Sequence, residues 1–355
     1  MDIKLCVLCA LLCLFAGPPV RFRAPDLETQ HYKALVAKLP LLKAEIGKVI
    51  IGQQEAIDEV LIALLAGGHC LLEGVPGLAK TLMVSTMAKA LDMRFKRIQF
   101  TPDLMPGDIV GTEILEEDHE TGRKFFQFNR GPIFANVVLA DEINRTPPKT
   151  QAAMLEAMQE YKVTYAGTDY DLPRPFLIIA TQNPIEQAGT YPLPEAQLDR
   201  FLLYIKLSYP SERDELEVLR STTGTARPAL QTILTDADIL DLQHLTRQVH
   251  ISDELITYIN RLVRASRPRS DASADSPLPF VKQWGEWGAG PRAGQALVLC
   301  AKARAVLNQR YSVIPDDIQT LAYPVLRHRI ALNFRAEAEN ITTDRVIQEL
   351  LNTVK

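Results

Sequence analysis

The chain has few cysteines, no excess of basic residues and no apolar run long enough to span a bilayer as a helix. Three of its five cysteines lie close to the N-terminus, and the spacing of the five fits neither a metal site nor a disulfide framework. Lys and Arg residues number 39, against 43 Asp and Glu residues, which gives a net charge of −4. This balance argues against a surface dominated by binding to nucleic acid or another polyanion. A reducing compartment is the expected environment.

A twelve-residue apolar run, residues 5–16, precedes Gly17, Pro18 and Pro19. It resembles the apolar part of a signal peptide and is too short to cross a bilayer as a helix. Three interpretations stay open: a misassigned start codon, a weak anchor at the membrane surface, and export. We treat residues 1–25 as a segment apart from the fold. We expect the protein to be cytoplasmic. If the apolar run is an anchor, the protein would also associate with a membrane surface.

A glycine-bearing loop at residues 73–81 lies between an apolar strand candidate, residues 70–72, and a helical stretch, residues 82–91. A strand, a loop and a helix in this order wrap backbone N–H groups around phosphates and direct a helix N-terminus at them. Lys80 would reach the β- and γ-phosphates of a nucleotide, and Thr81 would hold Mg²⁺. The alternative is a structural turn. The residues of the predicted cradle are Gly74, Val75, Pro76, Gly77, Leu78, Ala79, Lys80 and Thr81.

The loop departs from the strict phosphate-binding pattern at Ala79, where that pattern has a glycine directly before the lysine. A positive φ is inexpensive only for glycine, so an alanine at this position predicts a negative φ. With a negative φ, replacement of Ala79 by Gly should leave nucleotide binding nearly intact.

A pair of carboxylates follows about sixty residues further on, where the apolar run at residues 137–140 ends in Asp141 and Glu142. A buried parallel strand delivers such side chains at its carboxyl end. Asp141 would complete the Mg²⁺ site, and Glu142 would polarise the attacking water as general base. An Asp-Glu pair alone is more often a strand end followed by a helix cap. Its position behind a Lys-Thr loop favours a nucleotide site.

Strand candidates alternate with helical stretches up to residue 209 and stop after it. This alternation predicts a parallel sheet with helices on both faces. Helical patterns alone follow, and one of them begins with Pro315, a residue favoured in the first turn. We therefore predict an α/β core at residues 26–209 and a smaller all-helical domain at residues 210–355. The strand candidates are residues 70–72, 97–99, 137–140, 177–180 and 202–206, and the later helical patterns are residues 211–220, 236–248, 253–265, 293–309 and 315–323.

Two further segments have the pattern of β-hairpins. One pairs residues 113–115 with residues 124–128, and the other pairs residues 161–164 with residues 169–172. Such insertions are either decoration or loops that contact a substrate or partner, and both interpretations stay open.

Five motifs resemble those of the MoxR-type AAA+ ATPases. Two are the loop at residues 71–81 and the Asp-Glu motif at residues 139–151. The others are Ala-Thr-Gln-Asn-Pro (180–184), Leu-Pro-Glu-Ala-Gln-Leu-Asp-Arg-Phe (193–201) and Trp-Gly-Ala-Gly-Pro-Arg-Ala (287–293). The resemblance extends over residues 35–329, and the alanine at position 79 is itself typical of it. It implies a P-loop NTPase core of the AAA+ class followed by a helical lid domain.

The resemblance also implies roles for further residues. Asn183 corresponds to sensor 1, which helps to position the water; an Asn-Pro turn is the alternative. Arg200 corresponds to the arginine finger that a neighbouring subunit inserts, and an ion pair with Asp199 is the alternative. Arg292 corresponds to sensor 2 on the lid, acting in its own site or in the neighbour's. Ile50, Ile51 and Gly52 correspond to the wall of the site on the side of the adenine. The alternative is that these residues only pack in the core at a helix junction.

For function, the resemblance implies Mg²⁺-dependent hydrolysis of ATP by a ring, expected to be a hexamer. Such a ring would act as a chaperone-like remodeler in the assembly, maturation or metal or cofactor loading of a partner with a von Willebrand factor A domain. One alternative is a nucleotide-gated scaffold with little turnover. Another is a nucleic-acid motor, against which the acidic balance argues, and no nucleic acid is expected as a partner.

Overall fold

A computed structural model gives the fold of residues 30–117, 124–185, 189–224, 228–268 and 278–355. The expectations for residues 1–25, with the three interpretations of the apolar run, lie outside the described residues. In chain order the strands are β1 (Cys70–Glu73), β2 (Phe95–Gln99), β3 (Gly111–Glu117), β4 (Lys124–Arg130), β5 (Val137–Asp141), β6 (Lys162–Tyr165), β7 (Thr168–Asp171), β8 (Leu177–Gln182), β9 (Leu203–Lys206), β10 (Gly285–Trp287) and β11 (Ala331–Leu332). The helices are α1 (Gln30–Gly47), α2 (Gln54–Ala66), α3 (Lys80–Ala90), α4 (Pro106–Val110), α5 (Pro148–Glu160), α6 (Glu195–Leu198), α7 (Glu212–Thr222), α8 (Asp236–Gln248), α9 (Asp253–Ala265), α10 (Pro279–Trp284), α11 (Pro291–Leu307), α12 (Pro315–Leu326), α13 (Phe334–Ala338) and α14 (Thr343–Thr353).

A five-stranded parallel sheet with the order β2-β5-β8-β1-β9 forms the centre of the α/β unit. Its strands are the five that the sequence predicts, each within two residues of the expected bounds. In this order β1 lies beside β8, and β8 lies beside β5. The loop that follows β1 and the carboxylates that end β5 therefore meet at one edge of the sheet.

Each strand of the sheet sends alternate side chains into two separate apolar clusters, because helices cover both faces. On β8, Leu177 and Ile179 belong to the larger cluster, whereas Ile178 and Ala180 belong to the smaller one. All four are buried. Burial on both faces explains the continuous apolar runs, and the predicted parallel sheet with two helical layers is confirmed.

The region after the sheet is a helical lid, as predicted. The helices α8 and α9 have the predicted bounds, and α12 begins at Pro315 as expected. Several elements of the lid were not predicted: the helices α10, α13 and α14, and the short antiparallel pair that β10 and β11 form. The proposed domain boundary, between residues 209 and 210, falls in the connection from β9 to α7. No helix in the described part of the chain is long and apolar enough to cross a membrane.

The lid and the sheet share one apolar core. The larger cluster continues from one face of the sheet through α1, α2 and α3 into the lid helices α8, α9, α11, α12 and α14. Two examples are Leu61 on α2 and Leu297 on α11, which are both buried. The two helices that precede the first strand thus connect the lid to the α/β unit by apolar packing.

Both predicted hairpins are present. The pair β3 and β4 and the pair β6 and β7 are each antiparallel, and residues 118–123, which connect β3 to β4, lie outside the described residues. The two hairpins contact each other, because the ring of Phe128 stacks on that of Tyr170 with 4.3 Å between centroids. Beyond this contact the first hairpin exposes large apolar side chains, including Leu115 and Phe126, whose exposed fraction is 71%.

Candidate functional site

The loop between β1 and α3 has the strand, loop and helix order that the sequence predicts. Gly74 opens it, and a Cβ atom there would lie 2.9 Å from the Cβ atom of Leu207, so a larger residue would not fit. Gly77 has a φ of 92°, which favours glycine. The Nζ atom of Lys80 donates to the carbonyl oxygen of Gly74 at 2.7 Å. The lysine therefore reaches back across the loop that precedes it.

Ala79 contradicts the expectation of a negative φ. Its φ is 55° and its ψ is 26°, in the left-handed region, where it forms the N-cap of α3. Its carbonyl oxygen accepts the N–H of Met83 at 2.8 Å, the first hydrogen bond of the helix. The prediction was wrong because the chain needs a left-handed residue at this point to pass from the loop into the helix. For alanine this conformation costs about 1–2 kcal/mol, and such strain is typical of functional sites.

Variants of Ala79 test this geometry. We expect Ala79→Gly to keep nucleotide binding and to leave the free energy of unfolding unchanged or raise it by up to about 1 kcal/mol. Relief of the left-handed strain is then offset by the greater chain entropy of glycine in the unfolded state. We expect Ala79→Val to weaken binding by about tenfold or more, because a β-branched residue tolerates a positive φ poorly. Titration with a fluorescent nucleotide and thermal unfolding measure both effects; equal affinities of the two variants would speak against the left-handed loop.

Asp141 and Glu142 lie where β5 ends, and Thr181 of the neighbouring strand β8 fixes both. The hydroxyl of Thr181 donates to Oδ1 of Asp141 at 2.6 Å, and the N–H of Glu142 donates to Oγ1 of Thr181 at 2.9 Å. Glu142 has a left-handed backbone with a φ of 58°, which turns the chain sharply away from the strand. Thr181 was not predicted as a site residue, although it directly follows a predicted strand.

The loop and the carboxylates lie close enough to interact electrostatically. Burial lowers the pKa of the half-buried Lys80 ammonium, and the carboxylates of Asp141 and Glu142 act in the opposite direction. The structure thus brings together the lysine of the loop and the two acidic residues that the sequence placed on separate elements.

The oxygen atoms at this edge suit Mg²⁺. Thr81 lies in the first turn of α3, and Asp141 ends β5. Mg²⁺ is usually held by one or two protein oxygens together with substrate phosphates and water. Across the described ranges, no group of three or more His, Cys, Asp or Glu side chains could hold a metal ion. The donor set therefore fits a metal bound together with a nucleotide.

The side chain of Asn183 is buried and takes part in a turn after β8. Its Oδ1 atom accepts the N–H of Ile185 at 3.2 Å, so the turn that was the alternative interpretation is present. This contact uses only the oxygen of the amide. The sensor role of Asn183 stays a prediction.

Arg200 follows α6, and its Nη1 atom donates to the carbonyl oxygen of Leu155 at 3.2 Å. Asp199, its alternative partner, instead accepts from Nε of Arg329 at 2.7 Å and lies 3.5 Å from Nη1 of Arg292. Arg292 is exposed in the first turn of α11. The two arginines that contact Asp199, Arg292 and Arg329, therefore both belong to the lid. The roles of Arg200 and Arg292 in hydrolysis stay predictions.

Arg329 was missed by the sequence analysis. Its guanidinium is buried, and besides Asp199 it donates to the carbonyl oxygens of Phe201 and Leu202. Burial lowers its pKa, and the hydrogen bond to Asp199 counteracts this. The lid thereby holds the segment that contains Arg200. A basic residue just after a helix is commonly exposed, so the sequence gives no signal for such a buried contact.

The predicted adenine-side wall lies beside a cavity of about 670 Å³. Ile50, Ile51 and Gly52 line it together with Ser211 and Asp214. Gly52 has a φ of 74°, and a Cβ atom there would lie 2.9 Å from that of Asp214. Ile50 is also buried in the larger cluster, so core packing accounts for part of its role. A cavity of this size accommodates a nucleobase.

Comparisons with known proteins agree with this geometry. Residues 69–203 match the ATPase family associated with various cellular activities (AAA), and residues 281–350 match the AAA lid domain. The chain is 44% identical over 310 residues to the Chaperone MoxR1 of Mycobacterium tuberculosis, covering 87% of this chain and 80% of that protein. It is 31% identical over 303 residues to the Protein MoxR of Paracoccus denitrificans, covering 82% and 88%. A crystal structure of a protein from Cytophaga hutchinsonii is similar with a TM-score of 0.82 and 44% identity, covering 91% of this chain and 96% of that one.

Proposed function

We propose that this chain, which belongs to the MoxR family of AAA+ ATPases, hydrolyses ATP with Mg²⁺ and uses the hydrolysis to remodel a partner protein. The observation that carries the proposal is the convergence of Lys80 with Asp141 and Glu142 at one edge of the sheet. A cation that binds phosphate, a carboxylate that binds a metal and a carboxylate that accepts a proton are the groups that phosphoryl transfer to water requires.

Each residue of the site then has one task. The N–H groups of the loop and the Lys80 ammonium bind the β- and γ-phosphates. Thr81 and Asp141 hold Mg²⁺, which when bound neutralises charge on the phosphate oxygens. Glu142 orients the attacking water and accepts its proton, with Asn183 beside it. The cavity beside Ile51 receives the adenine.

The site is completed by a second copy of the chain. Arg200 supplies positive charge to the transferring phosphoryl group of a neighbouring subunit, so hydrolysis depends on assembly into a ring, which we propose to be a hexamer. The contacts of Arg329 support this role, because they fix the segment that carries Arg200 against the lid. Arg292 reports the nucleotide state to the lid.

We propose that the remodelling takes place in the cytoplasm, where ATP is available. If residues 5–16 act as an anchor, it takes place at the membrane surface as well. The name of the relative Chaperone MoxR1 supports a chaperone-like role. The exposed apolar side chains of the first hairpin, Leu115 and Phe126 among them, offer a surface for a partner. The partner that we propose carries a von Willebrand factor A domain and is assembled, matured or loaded with a metal or cofactor.

Phosphate release by the purified protein tests the proposal. Release from ATP should require Mg²⁺ and stop when a chelator is added, and light scattering should show a nucleotide-dependent assembly under the same conditions. Nucleotide binding and assembly without measurable release would instead identify a nucleotide-gated scaffold. A gene for a protein with a von Willebrand factor A domain beside the gene for this chain would name the partner to be tested for co-purification.

A further inference from the structure

Three consecutive residues of the lid bond to the backbone of the segment that carries Arg200. They directly follow α12, and we call them the basic triplet: Arg327, His328 and Arg329. The segment, residues 199–204, leads from α6 into the edge strand β9. The N–H groups of residues 199–202 bond to carbonyl oxygens of α6 and of His69. The triplet supplies donors for the carbonyl oxygens of the same segment, so the lid completes its hydrogen bonding.

Two members of the triplet meet at the carbonyl oxygen of Phe201. Arg329 donates to it from Nη2 at 2.7 Å, and its Nη1 atom donates to the carbonyl oxygen of Leu202 at 3.2 Å. Nε2 of His328 lies 2.9 Å from the oxygen of Phe201, which can only accept, so this nitrogen carries the hydrogen. Burial and the charge of Arg329 lower the pKa of His328 well below its usual value, which keeps the ring neutral.

Two carboxylates hold the arginines of the triplet in place. Asp199 belongs to the segment itself, and its Oδ1 atom accepts from Nε of Arg329 at 2.7 Å. Arg327 donates from Nη1 to the carbonyl oxygen of Tyr204 at 2.9 Å and from Nε to Oδ1 of Asp344 on α14 at 2.6 Å. The side chain of Arg329 is only 4% exposed. A buried guanidinium that is paired with a carboxylate is held firmly, so the backbone bonded to it is held as well.

We propose that the basic triplet positions the arginine finger, because it fixes the backbone from which Arg200 reaches the nucleotide of a neighbouring subunit. The inference rests on the proposed function, since it concerns the same finger. An arginine finger contributes only where its guanidinium meets the transferring phosphoryl group, and a misplacement of about 1 Å can cost about 10²-fold in rate. A subunit with an altered triplet therefore binds its own nucleotide and fails to serve its neighbour.

Turnover and nucleotide affinity of single variants give the first test. Arg329→Met removes the donors to two carbonyl oxygens and should lower phosphate release at saturating ATP about tenfold to hundredfold, with nucleotide affinity within about twofold of the wild type. His328→Leu removes one donor and should lower release about threefold to tenfold. The control is Arg335→Met on α13 of the same lid, where the side chain is 65% exposed; its release should stay within about twofold of the wild type.

Mixing of subunits shows which half of the shared site is damaged. Lys80→Ala subunits keep a working finger, so mixing them with Arg329→Met should raise phosphate release above the average of the two proteins measured alone. Mixing Arg329→Met with Arg200→Ala should give no gain, because neither protein supplies a working finger. A gain with Arg200→Ala and none with Lys80→Ala would place the damage in the subunit's own nucleotide site and overturn the proposal.

His328→Leu is taken through the same mixtures and is the deciding variant if Arg329→Met does not assemble. Wild-type release by the deciding variant, or no gain with either partner in an intact assembly, would also overturn the role of the triplet. Silence of Lys80→Ala mixed with Arg200→Ala would instead refute the finger supplied by a neighbour, and with it the proposed function.

Discussion

Replacement of Glu142 by Gln should lower the rate of phosphate release about 10²–10⁴-fold and leave nucleotide binding within about twofold of the wild type. The substitution keeps the size of the side chain and removes its ability to accept a proton. The backbone of residue 142 should stay in place, because its N–H donates to Thr181. The loss should therefore fall on turnover alone, which is the signature of a general base.

A matched variant separates this effect from a change of charge. Glu156→Gln makes the same chemical change at an exposed position of α5 and should release phosphate at the wild-type rate. Steady-state phosphate release and titration with a fluorescent nucleotide give the two required numbers for each protein. Equal, negligible release by the wild type and Glu142→Gln, with both proteins assembled, would leave the scaffold as the better description.

Replacement of Arg200 by Ala should lower turnover at saturating ATP by about 10³-fold or more, because the arginine finger stabilises charge that develops only in the transition state. Nucleotide affinity should change little, since we place Arg200 at the nucleotide of a neighbour rather than at that of its own chain. Within its chain Arg200 makes one hydrogen bond, to the carbonyl oxygen of Leu155, among the contacts of the described residues. Its removal should leave the free energy of unfolding within about 1 kcal/mol of the wild type.

Arg220→Ala is the control for Arg200, because it removes an arginine from an exposed position of α7. Both variants are compared in turnover, nucleotide affinity and assembly size. Turnover of Arg200→Ala within tenfold of the wild type, in an intact assembly, would exclude an arginine finger at this position.

Local features of the chain account for what could be predicted from the sequence. Strand β5 is a run of apolar residues ended by acidic ones, and the loop before Lys80 is marked by Gly74 and Gly77. Both signals lie within a few residues, so the five strands and the loop could be predicted without knowledge of the packing. Ala79 shows the limit of the same reasoning. Its side chain favours a negative φ, whereas the passage from loop to helix requires a positive one.

Contacts between distant residues account for what was missed. Arg97 lies in a predicted strand, and its Nε atom donates to Oδ2 of Asp141 at 3.0 Å. This contact depends on β2 being the neighbour of β5, which the strand order alone reveals. The sequence did contain one signal for this contact. Arg97 and Gln99 are polar and lie on the same face at the carboxyl end of that strand. Arg329 contacts Asp199 across 130 residues of chain, and its surroundings in the sequence contain nothing that indicates such a partner.

A mixing experiment tests most directly whether the ATPase site is shared between two copies of the chain. Lys80→Ala should disable nucleotide binding in its own subunit but still supply Arg200, whereas Arg200→Ala should bind nucleotide but supply no finger. Each variant alone should be nearly silent, and mixtures should recover phosphate release that is greatest near equal proportions. Silence at every ratio, in assemblies shown to contain both variants, would contradict a site completed by the arginine of a neighbour.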